Sequence, residues 1–201
     1  NHFIFPLGHK KNFFEKFFKS KINIKKYKLN ILNENFLVKD LKKNKINISI
    51  FNAGKKTSKM NRVMKSLRYI IKEDLLIVYG DDLSNINLSQ VFKKYNEYNK
   101  KKAIVTIYKK KSQYGHVIIN KNGFVKDFIE KPAFKYPINI GNYLINSSII
   151  KKYKSSKEIE SHLLPLLSKK KLLQSFEHKG YFYGINDKKE LITAKKKLKK
   201  L

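Results

Sequence analysis

Apolar and polar positions alternate in short bursts along this chain, and the period of the bursts switches between strand-like and helix-like. His2 to Leu7 reads as a strand, followed by a helix that gathers Phe13, Phe14, Phe17 and Phe18 on one face. Lysine-rich strands are expected around Tyr27–Leu32 and Ile46–Phe51. Ser58 then caps a helix carrying Met60, Val63, Met64, Leu67, Ile70 and Ile71 at helical spacing. The apolar run Leu75-Leu76-Ile77-Val78 continues through Tyr79-Gly80 and sets Asp81 and Asp82 at a strand's carboxyl end. A helix with Leu88, Val91, Phe92 and Tyr95 and a strand from Ala103 to Tyr108 come next. This rhythm predicts a helix-covered, mostly parallel sheet.

After Lys109 the texture changes. Val117-Ile118-Ile119, the Asn122-Gly123 pair and Phe124 to Ile129 predict a hairpin, because Asn-Gly supplies the positive φ angles of a tight turn. A strand is expected near Ile138–Ile145 and a helix through Ile159–Leu167 despite Pro165. Short strands at Leu172–Glu177 and Tyr181–Ile185 precede a lysine-rich terminal helix. With no internal repeat and no low-complexity linker, residues 1–201 read as a single α/β domain with a mixed sheet.

Composition narrows the class. A hydrophobic share of 41% and an aromatic share of 13% are those of a globular chain. No apolar run approaches the roughly 18–20 residues that span a bilayer, so no membrane partner is expected. Zero cysteines exclude disulfides and thiolate metal sites and fit a cytoplasmic protein. The net charge of +31 raises nucleic-acid binding, since basic proteins gain affinity by releasing counterions from phosphates. However, Arg62 and Arg68 are the only arginines, and the lysines lie along the whole chain. Arginine is the usual side chain for bidentate reading of bases and phosphates. Loose affinity for polyanions is therefore expected, and no specific nucleic acid.

The chemistry-bearing residues begin with Asp81. Ligands of open α/β sheets bind beyond the carboxyl ends of the strands, and a carboxylate there can hold Mg²⁺ against phosphates. A solvated turn would give the same octapeptide. No pair of histidines has metal-ligand spacing, and His116 and His178 read as scaffold groups.

Several stretches carry a resemblance in order: FIFPLGHKKNFFEKFF, NAGKKTSKMNRV, YGDDLSNIN, QYGHVII, FIEKP, INIGNYLI and FEHKGYF. Together they resemble the sugar-1-phosphate nucleotidyltransferases, most closely the glucose-1-phosphate cytidylyltransferase branch. The resemblance implies a Rossmann-like three-layer α/β/α fold. It also implies transfer of a nucleotidyl group from a nucleoside triphosphate, CTP in that branch, to a sugar 1-phosphate such as glucose 1-phosphate, with release of pyrophosphate. Mg²⁺ is the implied cofactor, with Asp81 as its ligand. Lys131 would meet the sugar phosphate, Glu130 the sugar hydroxyls, and Gly115 would let the backbone approach the sugar. Asn139 would bond the sugar or its phosphate, and Arg62 would sit near the nucleotide. A homo-oligomer is compatible with this reading. So are a guanylyl- or uridylyltransferase of the same superfamily and a degenerate domain that binds sugar nucleotides without turning them over.

The chain departs from the pattern at four places. The family's opening strand and its Gly-Gly-X-Gly-Thr-Arg loop, which cradles the triphosphate, are not among residues 1–201, and Asn1 suggests sequence upstream. The family's second metal-binding aspartate falls on Asn186, with Asp187 one position later. An amide oxygen can ligate Mg²⁺ but brings no charge. Met60 and Asn61 replace loop glycines before Arg62, and Asp82, read as incidental to the chemistry, stands where the family has glycine. The expectation is a partial domain with little activity of its own. Incubating these 201 residues with CTP and glucose 1-phosphate should release at most traces of pyrophosphate, and ordinary turnover would refute the expectation.

Overall fold

The computed structural model describes residues 2–9, 11–21, 27–32, 35–40, 45–70 and 73–198, with side chains for 2–9, 11–14, 16–17, 48–70 and 73–198. In chain order the elements open with β1 (His2–Leu7), α1 (Lys11–Lys21), β2 (Tyr27–Leu32), β3 (Asn35–Asp40) and β4 (Lys45–Asn52). Then come α2 (Lys59–Ser66), β5 (Asp74–Val78), β6 (Asp82–Ser84), α3 (Leu88–Glu97) and β7 (Ala103–Tyr108). The hairpin β8 (His116–Ile119) and β9 (Val125–Ile129) leads to β10 (Ile138–Asn146) and α4 (Ser147–Lys152). The chain finishes with α5 (Leu164–Lys169), β11 (Leu173–His178), β12 (Phe182–Gly184) and α6 (Lys188–Leu198).

These elements form two compact units, Asn1–Glu73 with Ser147–Leu166, and Asp74–Asn146 with Leu167–Leu201. The first unit holds a sheet of order β1-β4-β3-β2, parallel between β1 and β4 and antiparallel elsewhere. Ile48, Ile50 and Phe51 are buried on β4, and Met60 and Val63 are buried on α2, which packs against β1. Ser58 caps α2 as expected, its hydroxyl accepting from the Asn61 N–H at 3.2 Å and donating to the Lys157 carbonyl at 2.9 Å. The helix ends sooner than its periodicity implied. Leu67–Tyr69 tighten into a 3₁₀ turn, and Ile70 is extended, the conformation β-branched residues favour. Phe13, Phe14 and Phe17 share α1 but lie exposed. The Phe18 side chain and Ile71 fall outside the described residues.

The second unit is built on a sheet of order β11-β7-β10-β5. Here β11 runs parallel to β7, and β10 is antiparallel to both its neighbours. The sheets are therefore mixed, with a larger antiparallel share than the strand–helix rhythm suggested, because β10 returns between β5 and β7. Asn87 caps α3 by accepting from the Gln90 N–H at 3.1 Å, and Val91 and Tyr95 bury against Ile104 and Leu144. Leu76, Ile86, Tyr98 and Phe176 close this core from its margins. The helix expected across Pro165 is present in an altered form. It begins as a π-helical turn, Ile159–Leu163, in which the Leu164 N–H reaches the Ile159 carbonyl. That widening precedes the proline, whose ring clashes with the carbonyl four residues back in an ordinary helix interior.

Under β5 sits a polar knot. Asp74 accepts from the hydroxyl of fully buried Tyr95 at 3.0 Å, from Lys100 at 2.6 Å and from Asn146 at 3.3 Å. Burial by itself would raise the Asp74 pKa. The Lys100 and Tyr95 hydrogen bonds, the Lys100 charge and the Asn146 bond outweigh it and hold the carboxyl below its ordinary value. A depressed folded pKa stabilises the protein above the unfolded value of about 3.9, and the contribution fades as pH falls through the lowered value. Tyr95→Phe should cost about 1.5–3 kcal/mol in urea unfolding at neutral pH. The stability gap between the natural protein and Asp74→Asn should shrink below about pH 4. A gap independent of pH would remove the knot from the stability of this unit.

Candidate active site

The strand ending in two acids is shorter than its sequence suggested. It stops at Val78, and Tyr79-Gly80-Asp81 turn the chain, with the Asp82 N–H bonded to the Tyr79 carbonyl at 3.3 Å, into the short strand β6. β6 pairs antiparallel with β12, so that Asp82 faces Gly184 and Leu83 faces Tyr183. The Ile185 N–H then bonds the Asp81 carbonyl at 2.8 Å. A third tie comes from Asn85, whose amide oxygen accepts the Tyr181 N–H at 2.8 Å. Asp81 is thus brought beside Ile185 and Asn186, although about a hundred residues separate them. Asp81 lies exposed, and Asp82 is half-buried.

Asn186 and Asp187 are organised by the start of α6. Glu190 accepts from both the backbone N–H and the amide of Asn186, at 2.7 and 3.1 Å. Asp187 accepts the Glu190 N–H at 2.7 Å. Sequence reading offered Asp187 as a candidate metal ligand. The structure gives it an N-cap, with one carboxylate oxygen on the helix backbone.

A second group gathers where the β8–β9 hairpin joins its flanking chain. The Ser112 N–H bonds the Pro132 carbonyl at 2.8 Å, and the Phe134 N–H bonds the Lys110 carbonyl at 3.0 Å, continuing the hairpin ladder. This sets Gly115 against Phe128 and Glu130. A β-carbon on Gly115 would lie 2.5 Å from the Phe128 ring and 3.0 Å from a Glu130 carboxylate oxygen. A larger residue there would push the exposed Phe128 ring and Glu130 carboxylate aside. Lys131 pairs with Glu130 at 3.3 Å, and both side chains are well exposed. Lys131 also holds φ at +46°, a left-handed backbone that is costly for a residue with a side chain and still less usual before a proline.

Asn139 has a different occupation from the one expected of it. Its Oδ1 accepts the Gly141 N–H at 3.0 Å and its Nδ2 donates to the Tyr143 hydroxyl at 2.6 Å. The two bonds clamp the irregularity where the register of β10 against β7 shifts between Asn139 and Tyr143. Gly141, at φ +70°, forms its corner. A β-carbon on Gly141 would lie 2.6 Å from an Asp82 carboxylate oxygen. The bulge therefore makes room for Asp82, a residue that sequence reading set aside. Its signal was the aspartate at a position opposite glycine.

Arg62 belongs to the first unit, and its guanidinium is spent on backbone. Nε donates to the Thr57 carbonyl at 3.0 Å, and the two terminal nitrogens to Pro6 at 2.7 Å and Gly54 at 3.0 Å. A β-carbon on Gly8 would lie 2.6 Å from the same guanidinium. Arg62 ties the end of β1 to the loop before α2, so any contribution to a nucleotide passes through the shape of that loop. His178 is buried and bonded to the Tyr181 carbonyl at 2.9 Å, and His116 is exposed with its ring 6.1 Å from that of Phe134.

Comparison with known proteins gives this geometry a lineage. The family described as Nucleotidyl transferase matches residues 11–200. A "Probable glucose-1-phosphate cytidylyltransferase" of Bacillus subtilis is 28% identical over 151 residues, which cover 74% of this chain and 59% of that protein. The mannose-1-phosphate guanylyltransferase catalytic subunit beta of Drosophila pseudoobscura is 26% identical over 134 residues, 65% of this chain and 36% of that one. The matched stretches thus span less than two thirds of either relative. In fold, the crystal structure of an apo UDP-glucose pyrophosphorylase superposes with a TM-score of 0.64 at 19% identity, covering 99% of this chain and 80% of that one. Motif order, fold and sequence relatives agree: the chain belongs to the nucleotidyl transferase family, with sugar-1-phosphate nucleotidyltransferases among its homologues.

Proposed function

We propose that this chain forms part of a sugar-1-phosphate nucleotidyltransferase that joins a nucleoside triphosphate to a sugar 1-phosphate, with CTP and glucose 1-phosphate as its substrates. The observation that carries the reading is the backbone bond from Ile185 to Asp81, which brings the Asp81 and Asn186 segments together at one place. The cytidylyltransferase relative supports the choice of base and sugar. The guanylyltransferase relative supports the alternative of GTP and mannose 1-phosphate.

In this reaction an oxygen of the sugar phosphate attacks the α-phosphorus and pyrophosphate leaves, so no covalent enzyme intermediate is needed. The protein has to align two polyanions and offset their charge. The Lys131 ammonium meets the sugar phosphate, while Glu130, held beside it, accepts hydrogen bonds from sugar hydroxyls. Gly115 lets the backbone come close to the sugar ring. Asn139 keeps the β10 irregularity in shape, and Arg62 does the same for the loop before α2.

The donors beside the β6–β12 pairing fit Mg²⁺. They are oxygens: the exposed Asp81 carboxylate and, one residue past Ile185, the amide oxygen of Asn186, whose nitrogen donates to Glu190. Among the described residues no group of three or more His, Cys, Asp or Glu side chains is gathered for a metal. Mg²⁺ bound by one or two carboxylates and substrate phosphates needs no such cage. When bound, the ion would draw charge from the phosphates at the reacting centre.

Three measurements test this reading on the protein with its natural upstream sequence. Asp81→Ala and Lys131→Ala should each lower kcat/KM by at least about a hundredfold, as loss of a charge-stabilising group commonly does. Unchanged turnover in both would overturn the site assignment. Lys131→Gly should abolish transfer equally while raising stability by about 1 kcal/mol in thermal or urea unfolding, because glycine accepts a positive φ without penalty. A panel of nucleoside triphosphates with glucose and mannose 1-phosphates should show CTP with glucose 1-phosphate preferred. Preference for GTP with mannose 1-phosphate would select the alternative.

A further inference from the structure

We propose that Asn85 is a positioning residue of the active site, which acts through the Tyr181 backbone to hold the Asp81 and Asn186 segments together, with Gly180 leaving it room to do so. The inference rests on the reading of those two segments as parts of one site. It adds a residue whose effect on the reaction passes through another residue's main chain.

β6 and β12 pair over three residues each, from Asp82 opposite Gly184 to Ser84 opposite Phe182. A two-stranded pairing is marginal in water by itself, so the groups that close its two ends decide how well it keeps its register. One end is closed by main chain, where the Ile185 N–H meets the Asp81 carbonyl at 2.8 Å. In an antiparallel ladder the bonded pairs alternate, which places the next ones at Leu83 with Tyr183 and at Asn85 with Tyr181. At that last rung the Tyr181 N–H donates to the Asn85 amide oxygen, at 2.8 Å. The far end of the pairing is therefore closed by a side chain.

Two neighbours support this rung. His178 is buried, and its Nε2 donates to the Tyr181 carbonyl at 2.9 Å. Both main-chain polar groups of Tyr181 are thus held by side chains, where β11 gives way to β12. Gly180 stands at the same turn. A β-carbon there would run into the Asn85 amide oxygen, and would lie 2.8 Å from Asn85 Cγ and 2.7 Å from His178 Cε1. Relief would require moving the Asn85 amide off the Tyr181 N–H or shifting His178 from the Tyr181 carbonyl.

The expected consequence is selective. Lys131, Glu130 and Gly115 sit at the base of the β8–β9 hairpin, whose ladder includes neither β6 nor β12. Loosening the Asn85 end leaves those groups in place and lets the spacing of Asp81 and Asn186 vary. A misplacement of about 1 Å around a reacting centre can cost on the order of a hundredfold in rate. Asn85 is itself exposed, so its one hydrogen bond adds little to global stability.

Hydrogen exchange and steady-state kinetics on the protein with its natural upstream sequence test this together. In Asn85→Ala the Tyr181 and Ile185 amides should exchange at least about tenfold faster, while those of the β7–β10 pairing keep their protection. Its kcat should fall by about tenfold, with KM for the sugar 1-phosphate within about twofold of the natural value. Asn85→Asp keeps an acceptor oxygen and should restore both readouts, whereas Gly180→Ala should reproduce the loss. Thermal unfolding identifies any variant that fails to fold. Faster exchange with unchanged kcat in Asn85→Ala would overturn the positioning role and leave the proposed reaction standing. Unchanged exchange at Ile185, or an equal loss in Asn85→Asp, would overturn it as well. Absence of transfer by the natural protein would overturn the proposed reaction and this inference with it.

Discussion

The candidate site depends on a short piece of strand pairing. β6 and β12 contribute three residues each, yet their register decides which side chains meet. Asp82 opposite Gly184, the Asp81 carbonyl on the Ile185 N–H and Asn85 on the Tyr181 N–H are successive consequences of one alignment. A slip of one residue would turn every side chain of the pair to the opposite face. Two supports hold it. α6 is capped by Asp187 and Glu190 directly after β12, and the β10 corner at Gly141 stands against Asp82. The carboxylates thus owe their positions to backbone bonds, and a helix cap and a strand irregularity define the space around them.

The elements legible in the sequence were those with a clean period and a marked end. β1, β7 and the Asn-Gly hairpin stand where apolar patterning and turn residues put them, and Ser58 caps its helix. β3 and α4 escaped notice. Asn35–Asp40 lies in lysine-rich surroundings with little alternation, and Ser147–Lys152 is a short helix directly after a buried strand, without a breaker between them. Side-chain roles were harder to read. Arg62 after a glycine-containing loop looks like a ligand-binding arginine, but its partners include the carbonyl of Pro6, remote in sequence, and only the parallel pairing of β1 with β4 brings them near. Asn139 was expected to face substrate and instead spends its amide on Gly141 and Tyr143, a need created by a strand irregularity that local sequence does not advertise. The order of the motifs, by contrast, was informative because a family constrains spacing as well as residue type.

The two clusters of the second unit differ in how they are held. The Asp81–Asn186 region is fixed by strand pairing, a cap and a packed core nearby. Glu130 and Lys131 project from the base of a hairpin whose strands are exposed throughout. A two-stranded hairpin alone is marginal in water, so the bonds from Ser112 to Pro132 and from Phe134 to Lys110 matter beyond their number. They carry the ladder back into the domain and keep Gly115 against Glu130 while the tip at Asn122-Gly123 lies farther out. The tip is closed separately by Asn120, whose side-chain oxygen accepts from the Asn122 and Phe124 N–H groups at 3.0 Å.

The same hairpin bears on how molecules of this protein treat one another in solution. Val117, Ile119, Val125 and Phe128 on the hairpin strands, and Phe124 just before β9, are each more than half exposed. Such surfaces attract only on contact. The net charge of +31 repels from farther away, but that repulsion reaches only about 8 Å at physiological ionic strength and about 3 Å at 1 M salt. Colloidal behaviour is then a contest between a salt-sensitive force and a salt-tolerant one. The lysines scattered along the chain act as a dispersing agent whose range the buffer sets.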